Sequence, residues 1–249
     1  MASNQQPNPE LVQTDDHLAA IEQLLPSTSR SGDARKFMAF AHRNRVSLDW
    51  FWTIKGDDGL PGTCVLTIPS EGRTAMCFTS EVHDEASRRQ LTCLLEHAMA
   101  FLEDQAIDLA QGLLIPEDNL GREAFLEARF QELATLQYME CETASHQNKP
   151  LIPDQLKLVT YEEAHRSDLA TALEGSYLNT LDCPGLRGLR DIDDVINGHQ
   201  STGHFDPSLW TLAIHDDQPV GCVLINESTT GRQAELVYLG LSPQVRGKG

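Results

Sequence analysis

The sequence predicts an α/β protein, more narrowly α+β, with two similar halves that each hold a mixed, mostly antiparallel sheet flanked by helices. Three observations support this class. Runs of apolar residues typical of strands come in two groups of three, joined by polar or glycine-containing turns. Amphipathic helix patterns precede each group. A polar stretch that ends in proline, 143–150 (TASHQNKP), separates the two halves and reads as a linker.

The first half begins with a polar segment, 1–16, whose composition predicts disorder. Asp16 is placed to cap a short helix, and Asp33 is placed to cap the helix that follows. Further elements are expected as strands at 50–55, 63–69, 74–80, 107–115 and 134–142, and as helices at 85–104 and 119–132. We therefore assign 1–32 to a polar tail with a short helix, and 33–142 to the first domain.

The second domain, 151–249, repeats this order of elements. Strands are expected at 155–161, 209–215, 219–227 and 233–242, and helices at 162–178 and 192–197. The region 179–206 is otherwise rich in loops. Both domains thus share a helical region, a three-strand meander and a point where a further helix should begin.

Charge and composition exclude several functions. The 37 acidic and 19 basic residues give a net charge of −18, which repels nucleic-acid phosphates and anionic membranes. No stretch approaches the roughly 18 apolar residues of a membrane span, and no basic segment precedes an apolar run near the start. The six cysteines contain no Cys-x-x-Cys pair, so neither a zinc site nor a disulfide framework is expected. We expect a cytoplasmic protein without nucleic-acid, membrane or metal partners; its oligomeric state is unknown.

The most informative motif lies at the end of the sequence. Residues 235–242 read as a nearly continuous apolar strand, which predicts a central strand covered on both faces. Gly240 inside it marks either a bulge or a close approach to the backbone. The loop after it has the form Gln-x-x-Gly-x-Gly, supplied by Gln244, Gly247 and Gly249. Such a loop turns backbone N–H groups toward one anion and should open a helix. Because the sequence ends at this loop, we interpret the second domain as incomplete.

These features resemble the GNAT superfamily of acyl-CoA-dependent N-acetyltransferases. The matching residues are the strand 234–241 (AELVYLGL) and the loop 244–249 (QVRGKG), within a resemblance that covers 155–249. The two halves are similar to the tandem arrangement of mycothiol-synthase-type members, which implies two GNAT-like domains. The resemblance implies acetyl-CoA as co-substrate, no metal, and a primary amine on a small-molecule or peptide acceptor that the sequence does not identify.

The resemblance also implies roles for particular residues. The pantetheine arm would lie beside Gly240 and bond to the backbone of Leu239 and Leu241, and the N–H near Leu241 would stabilise the oxyanion. The loop would hold the pyrophosphate through backbone N–H groups, with added positive charge from its arginine and lysine. The loop residues so assigned are Gln244, Val245, Arg246, Gly247, Lys248 and Gly249.

Glu235 stands where several family members carry a general base. An amine with a pKa of about 10 is protonated at neutral pH, so a group such as this carboxylate must accept its proton, directly or through water. The alternative is that Glu235 only marks the exposed start of the strand. Strand alternation predicts that Tyr238 points to the opposite face, into the core. The family's usual tyrosine acid would lie beyond residue 249.

The corresponding point of the first domain has no glycine loop. Three acids stand there at a helix start, within 81–85, and they would repel a pyrophosphate from the positive end of the helix dipole. We therefore expect the first domain to be a degenerate, non-catalytic copy. His83, Asp84 and Glu85 could be interpreted as a metal site, but helix capping is the favoured explanation.

Other groups in the second domain leave alternatives open. His199 and His204 would border the acceptor site and either contact substrate or are solvated, with solvation favoured. The acids of 191–194 either attract a cationic amine or belong to a helix N-terminus.

Two other functions remain alternatives to catalysis by acetyl transfer. The first is a non-catalytic, truncated or pseudo-acetyltransferase that acts as a binding protein, because a free carboxylate at Gly249 would occupy the pyrophosphate position and weaken acetyl-CoA binding. The second is a cysteine hydrolase that uses Cys183. Packing is the favoured role for Cys183, since no histidine partner can be assigned from the sequence.

Overall fold

The computed structural model describes residues 8–26, 32–143, 152–153, 155–229 and 233–247. Contacts divide the chain into two compact units, 1–132 and 133–249. Each unit contains one sheet flanked by helices, which confirms the predicted fold class. The predicted linker, 143–150, lies outside the described residues except for its first residue, Thr143.

The first unit contains a five-stranded sheet in the order β1-β2-β3-β4-β5. Its strands are β1 (Glu10–Leu11), β2 (Phe51–Lys55), β3 (Pro61–Ser70), β4 (Thr74–Thr79) and β5 (Leu109–Gly112). Neighbouring strands are antiparallel, except that β4 and β5 are parallel. Its helices are α1 (His17–Leu24), α2 (Asp33–Asn44), α3 (Glu85–Glu103) and α4 (Asn119–Glu127).

Helices cover both faces of this first sheet. Phe51 and Leu66 pack with residues of α1 and α2 on one face. Trp52 and Val65 pack with α3 and α4 on the other face. Side chains of successive strand residues point to opposite faces, so β2 and β3 supply both cores at once.

Two sequence predictions for this region are wrong. The segment expected to be disordered, 1–16, contains the paired strand β1, and Val12 is buried in the core; residues 1–7 lie outside the described residues. The strand expected at 134–142 is not formed. Its apolar residues, including Tyr138 and Met139, are exposed, because no strand among the described residues pairs with this segment.

The second unit contains an antiparallel sheet in the order β6-β7-β8-β9. Its strands are β6 (Leu156–Thr160), β7 (Thr211–His215), β8 (Gln218–Glu227) and β9 (Ala234–Leu241), and its helices are α5 (Arg166–Ser176) and α6 (Ile192–Ser201). The helices pack on one face, against Leu212 and Leu224. The opposite face carries exposed leucines on β6 and β9, including Leu158 and Leu239, and no helix within the described ranges covers it.

A buried asparagine joins β8 to the end of α6. The Asn226 side chain is 0% exposed, and its Oδ1 accepts a hydrogen bond of 2.8 Å from Trp210 Nε1. Its Nδ2 donates to the carbonyl oxygens of His199, at 2.8 Å, and Thr202, at 2.6 Å. Both ends of the amide are therefore satisfied, as a buried polar group requires.

None of the helices that the structure describes is both long and apolar enough to cross a membrane.

Candidate functional site

Within the described residues, β9 lies at the edge of the second sheet and is not the central strand that the sequence predicts. The hydrogen-bond pattern determines which of its backbone groups face outward. Ser242 N donates to Val220 O at 2.7 Å, just beyond the end of the strand. Hydrogen-bonded and non-hydrogen-bonded pairs alternate along an antiparallel ladder. The N–H groups of Leu239 and Leu241 therefore point away from β8, toward an edge that no described strand covers.

The pairing of β8 with β9 contains a β-bulge. Leu224 pairs with Tyr238, but its neighbour Ile225 pairs with Leu236, so Val237 is an extra residue on β9. The bulge shifts the alternation of side chains along β9 by one residue. The bulge therefore lies at Val237 and not at Gly240, where one of the two sequence interpretations places it.

Because of the bulge, Glu235 and Tyr238 lie on the same face of the sheet. Glu235 pairs with Asn226 and Tyr238 pairs with Leu224, and both partners on β8 point toward the helices. The prediction from simple alternation that Tyr238 and Glu235 point to opposite faces is therefore wrong. Glu235 itself is exposed at the start of β9.

Tyr238 is half-buried and packs on the helical core, as expected for a core residue. Its hydroxyl forms a hydrogen bond of 2.7 Å with Ser176 Oγ. Its ring lies 5.8 Å from that of Tyr177 and 5.6 Å from that of His199. Burial raises the pKa of the Tyr238 hydroxyl.

Gly240 allows the end of α5 to approach β9 closely. A Cβ atom at Gly240 would lie 2.7 Å from Ser176 Cβ, and one at Gly175 would lie 2.6 Å from Ser242 Oγ. These distances are shorter than van der Waals contact, so a Cβ atom at either position would force the facing serine to move. Of the two explanations for Gly240, close approach is the one that the structure supports. No pattern in the sequence identifies the buried partner Ser176.

The loop after β9 begins with a turn that uses two of its own amides. Val245 N donates to Ser242 O at 3.1 Å, and Arg246 N donates to Pro243 O at 3.3 Å. These two N–H groups, which the sequence assigned to the pyrophosphate, thus already have partners. Gly247 has a φ of 70°, and its N–H makes no hydrogen bond to any residue that the structure describes.

The remaining loop assignments are placed as follows. Gln244 is exposed in the turn. Lys248 and Gly249 lie outside the described residues. The Arg246 side chain folds back on the protein, where its guanidinium donates to three backbone carbonyls of β9 and of the end of α5.

His199 is largely buried, so the prediction that it is solvated is wrong. Burial, together with the positive charge of Arg190, lowers its pKa to about 4. Its Nε2 atom is buried without a hydrogen-bond partner among the described residues. His199 follows buried Ile196 at helical spacing, a pattern that could have identified its position from the sequence. His204 is exposed, as expected.

The other candidates have structural roles. Asp191 accepts a hydrogen bond from Asp193 N at the start of α6, and Asp193 forms an ion pair of 2.9 Å with Arg166, which favours the helix N-terminus explanation. Burial and the negative charge of Asp182 raise the pKa of the Cys183 thiol, which disfavours the thiolate that a hydrolase would need.

Among the acids at 81–85 in the first unit, Asp84 caps α3. Asp84 accepts from Ser87 N at 2.8 Å, and Ser87 Oγ accepts in return from Asp84 N, which completes a capping box. Glu85 forms an ion pair with Arg88. Within the described residues, no group of three or more potential ligand side chains is arranged to hold a metal ion.

Comparison with solved structures identifies a likeness in fold. A GCN5-related N-acetyltransferase from Sphaerobacter thermophilus aligns with a TM-score of 0.53 and 16% identity, over 94% of this chain and 74% of its own. A tandem GNAT protein from the clavulanic acid biosynthesis pathway aligns over 96% of this chain and 79% of its own, with 13% identity and a TM-score of 0.43.

No family model matches the sequence, and no curated protein does. The finer likeness to mycothiol-synthase-type proteins stays a prediction. The mixed architecture of two helix-flanked sheets, together with the first of these alignments, shows that the chain has the fold of GNAT N-acetyltransferases.

Proposed function

We propose that this protein binds acetyl-CoA along β9 and transfers the acetyl group to a primary amine of a small-molecule or peptide acceptor. The open edge of β9 is the observation that carries this proposal. Leu239 and Leu241 direct N–H groups to that edge, and the amides of a pantetheine arm can pair with them as an added strand would. The exposed leucine side chains of β9 supply adjacent apolar surface.

The loop after β9 is the proposed site for the diphosphate. Because the N–H groups of Val245 and Arg246 belong to the turn, the diphosphate would contact the chain from Gly247 onward, including Lys248 and Gly249. The positive φ of Gly247 turns the backbone there, which is how consecutive N–H groups form an anion-binding concavity. Exposed Gln244 would border this site.

The chemical step would use two groups on β9. A proton passes from the acceptor's ammonium group to Glu235, directly or through water, and leaves a neutral amine. The amine nitrogen attacks the thioester carbonyl carbon. Of the two outward N–H groups, of Leu239 and Leu241, the one that does not pair with the pantetheine arm would stabilise the oxyanion. Collapse breaks the carbon–sulfur bond; the new amide loses the extra proton of its nitrogen, and the CoA thiolate is protonated to the free thiol.

Two further points concern partners and the first unit. The net charge of −18 supports a cationic acceptor over an anionic one. We also propose that the first unit is a non-catalytic copy, since its equivalent position is occupied by the capping box of Asp84 and Ser87.

Calorimetric titration with acetyl-CoA and a CoA-release assay with a panel of primary amines test the proposal. Glu235→Gln should lower kcat by about 10²–10⁴-fold, the usual contribution of a general base. Glu227→Gln is the matched control, because Glu227 is an exposed carboxylate on the neighbouring strand, and it should leave the rate unchanged.

Three results would count against the proposal in different ways. Absence of acetyl-CoA binding would refute it outright. Binding without CoA release for any amine would favour a non-catalytic binding protein. Equal rates and pH dependence for Glu235→Gln and the Glu227→Gln control would remove Glu235 from the mechanism.

A further inference from the structure

Arg246 joins two elements of the second unit through its guanidinium group. Its Nε donates to Leu241 O, at the end of β9, at a distance of 2.8 Å. Its two terminal nitrogens donate to the end of α5 and the turn after it: Nη2 to Ser176 O at 2.7 Å and Nη1 to Asn179 O at 3.0 Å. All three nitrogens of the side chain therefore have a backbone carbonyl as partner.

The acceptors on the α5 side are carbonyls that helix geometry leaves unpaired. The last carbonyls of a helix have no intrahelical donor, and they form the negative end of its dipole. Ser176 is the final residue of α5, and Asn179 lies in the turn that follows, with a φ of 52°. A planar guanidinium suits three separate acceptors, whereas a lysine ammonium has a single nitrogen to place.

Close packing holds the same elements together independently of Arg246. Gly240 contacts Ser176, and Gly175 contacts Ser242, at distances that leave no room for a Cβ atom. Ser242 is 4% exposed, and its N–H is bonded to β8. The beginning of the loop is therefore fixed to both β8 and α5. Arg246, on the other side of the turn, adds hydrogen bonds to the ends of β9 and α5.

We propose that Arg246 is a positioning residue, which holds the end of β9 and its loop against α5, and that it does not bind the diphosphate through its charge. Its effect on acetyl transfer would pass through the Leu241 N–H and the Gly247 backbone. This second part rests on the proposed function, whereas the positioning role itself can be measured without any cofactor.

Arg246→Lys separates the two roles, since it keeps the charge but offers one nitrogen where the guanidinium places three. Amide hydrogen exchange of the unliganded protein should be at least about tenfold faster in peptides covering 177–180 and 241–247, equivalent to about 1.4 kcal/mol. Peptides from β7 should be unchanged, which also reports that the variant is folded. Arg187→Lys, at an exposed arginine between α5 and α6, is the control and should match the wild type.

Wild-type exchange rates in Arg246→Lys would overturn the proposal. If faster exchange extends to β7, Arg246→Ala provides the second measurement. Added millimolar guanidinium ion should then restore protection at 177–180, and ammonium ion should not. Equal rescue by both ions, or by neither, would also overturn it.

Titration with CoA at low and high salt tests the link to function. If Arg246 only positions the loop, Arg246→Lys and Arg246→Gln should weaken binding to a similar extent and keep the wild-type salt dependence. A direct charge contact predicts that lysine retains affinity and that glutamine loses both affinity and salt dependence. In turnover, positioning predicts lower kcat as well as higher KM, and a diphosphate contact predicts higher KM alone. If the wild type does not bind CoA, the proposed function fails, and the exchange result still decides the role of Arg246.

Discussion

Asn226→Asp should strongly destabilise the second unit at neutral pH. The wild-type amide accepts one hydrogen bond from Trp210 and donates two, to the carbonyls of His199 and Thr202. An ionised aspartate keeps the acceptor but loses both donors, and it places a negative charge against two carbonyl oxygens in a site that is 0% exposed. The Thr202 carbonyl loses this donor, at a cost of about 1–3 kcal/mol, whereas His199 O keeps a bond of 3.4 Å from Thr202 N. With the uncompensated buried charge added, a loss of about 3–5 kcal/mol is expected.

The same geometry gives the sign of the pH dependence. Burial and the facing carbonyls favour the neutral acid, so the folded-state pKa of the new aspartate should rise above its unfolded value of about 3.9. The protonated form can donate to one carbonyl while its other oxygen accepts from Trp210. Stability is therefore expected to recover as pH falls toward about 4 and to be lost as pH rises through the folded-state pKa.

Urea-dependent amide exchange of β7 and β8 peptides is the appropriate measurement, because the two units need not unfold together. Asn197→Asp is the matched control: Asn197 Oδ1 accepts from Arg166 at 3.0 Å, so a carboxylate there gains a favourable charge. The control should be neutral or slightly stabilising. A stable Asn226→Asp variant at pH 7, or a deficit that does not shrink on acidification, would refute this account of the Asn226 site.

Two further predictions concern the packing around β9. Gly240→Ala should destabilise the second unit by about 1–3 kcal/mol, because its Cβ would lie 2.7 Å from Ser176 Cβ; urea-dependent exchange of β8 peptides measures this, and wild-type stability would contradict the close approach. Burial and Arg190 depress the pKa of His199 to about 4. The stability that depends on neutral His199 should therefore be fully present above its unfolded pKa of about 6.5 and be lost as pH drops toward 4. His199→Phe should remove that part of the pH dependence, and an unchanged profile would place the titration elsewhere.

Much of the secondary structure was predictable because it depends on local periodicity. The pattern of α3 repeats every three or four residues, and its stripe is buried as expected: Leu91, Leu94, Leu95, Ala98 and Leu102. Strands were less predictable where pairing decides their existence. The two-residue strand β1 forms because β2 is available beside it, and 134–142 has the composition of a strand but no described partner.

The end of β9 was predictable from the sequence, but its atomic contacts were not. The glycine loop and the apolar strand located the end of β9, because both signals lie within one short segment. The orientation of Glu235 relative to Tyr238 depends on the register with β8, and an extra residue at Val237 reverses the result of simple alternation. Sequence spacing within β9 contains no information about that register.

The same limit applies to Arg246, and it explains why charge alone is a poor guide to its role. In the sequence, a basic residue in a glycine loop predicts contact with phosphate. In the folded unit, the guanidinium donates to a carbonyl at the end of β9 and to carbonyls at and just after the α5 terminus, which lies 70 positions earlier in the chain. Unpaired carbonyls at a helix end attract a guanidinium whether or not an anion is bound. The loop can therefore be held in shape by its arginine while its backbone N–H groups remain the proposed contacts for the cofactor.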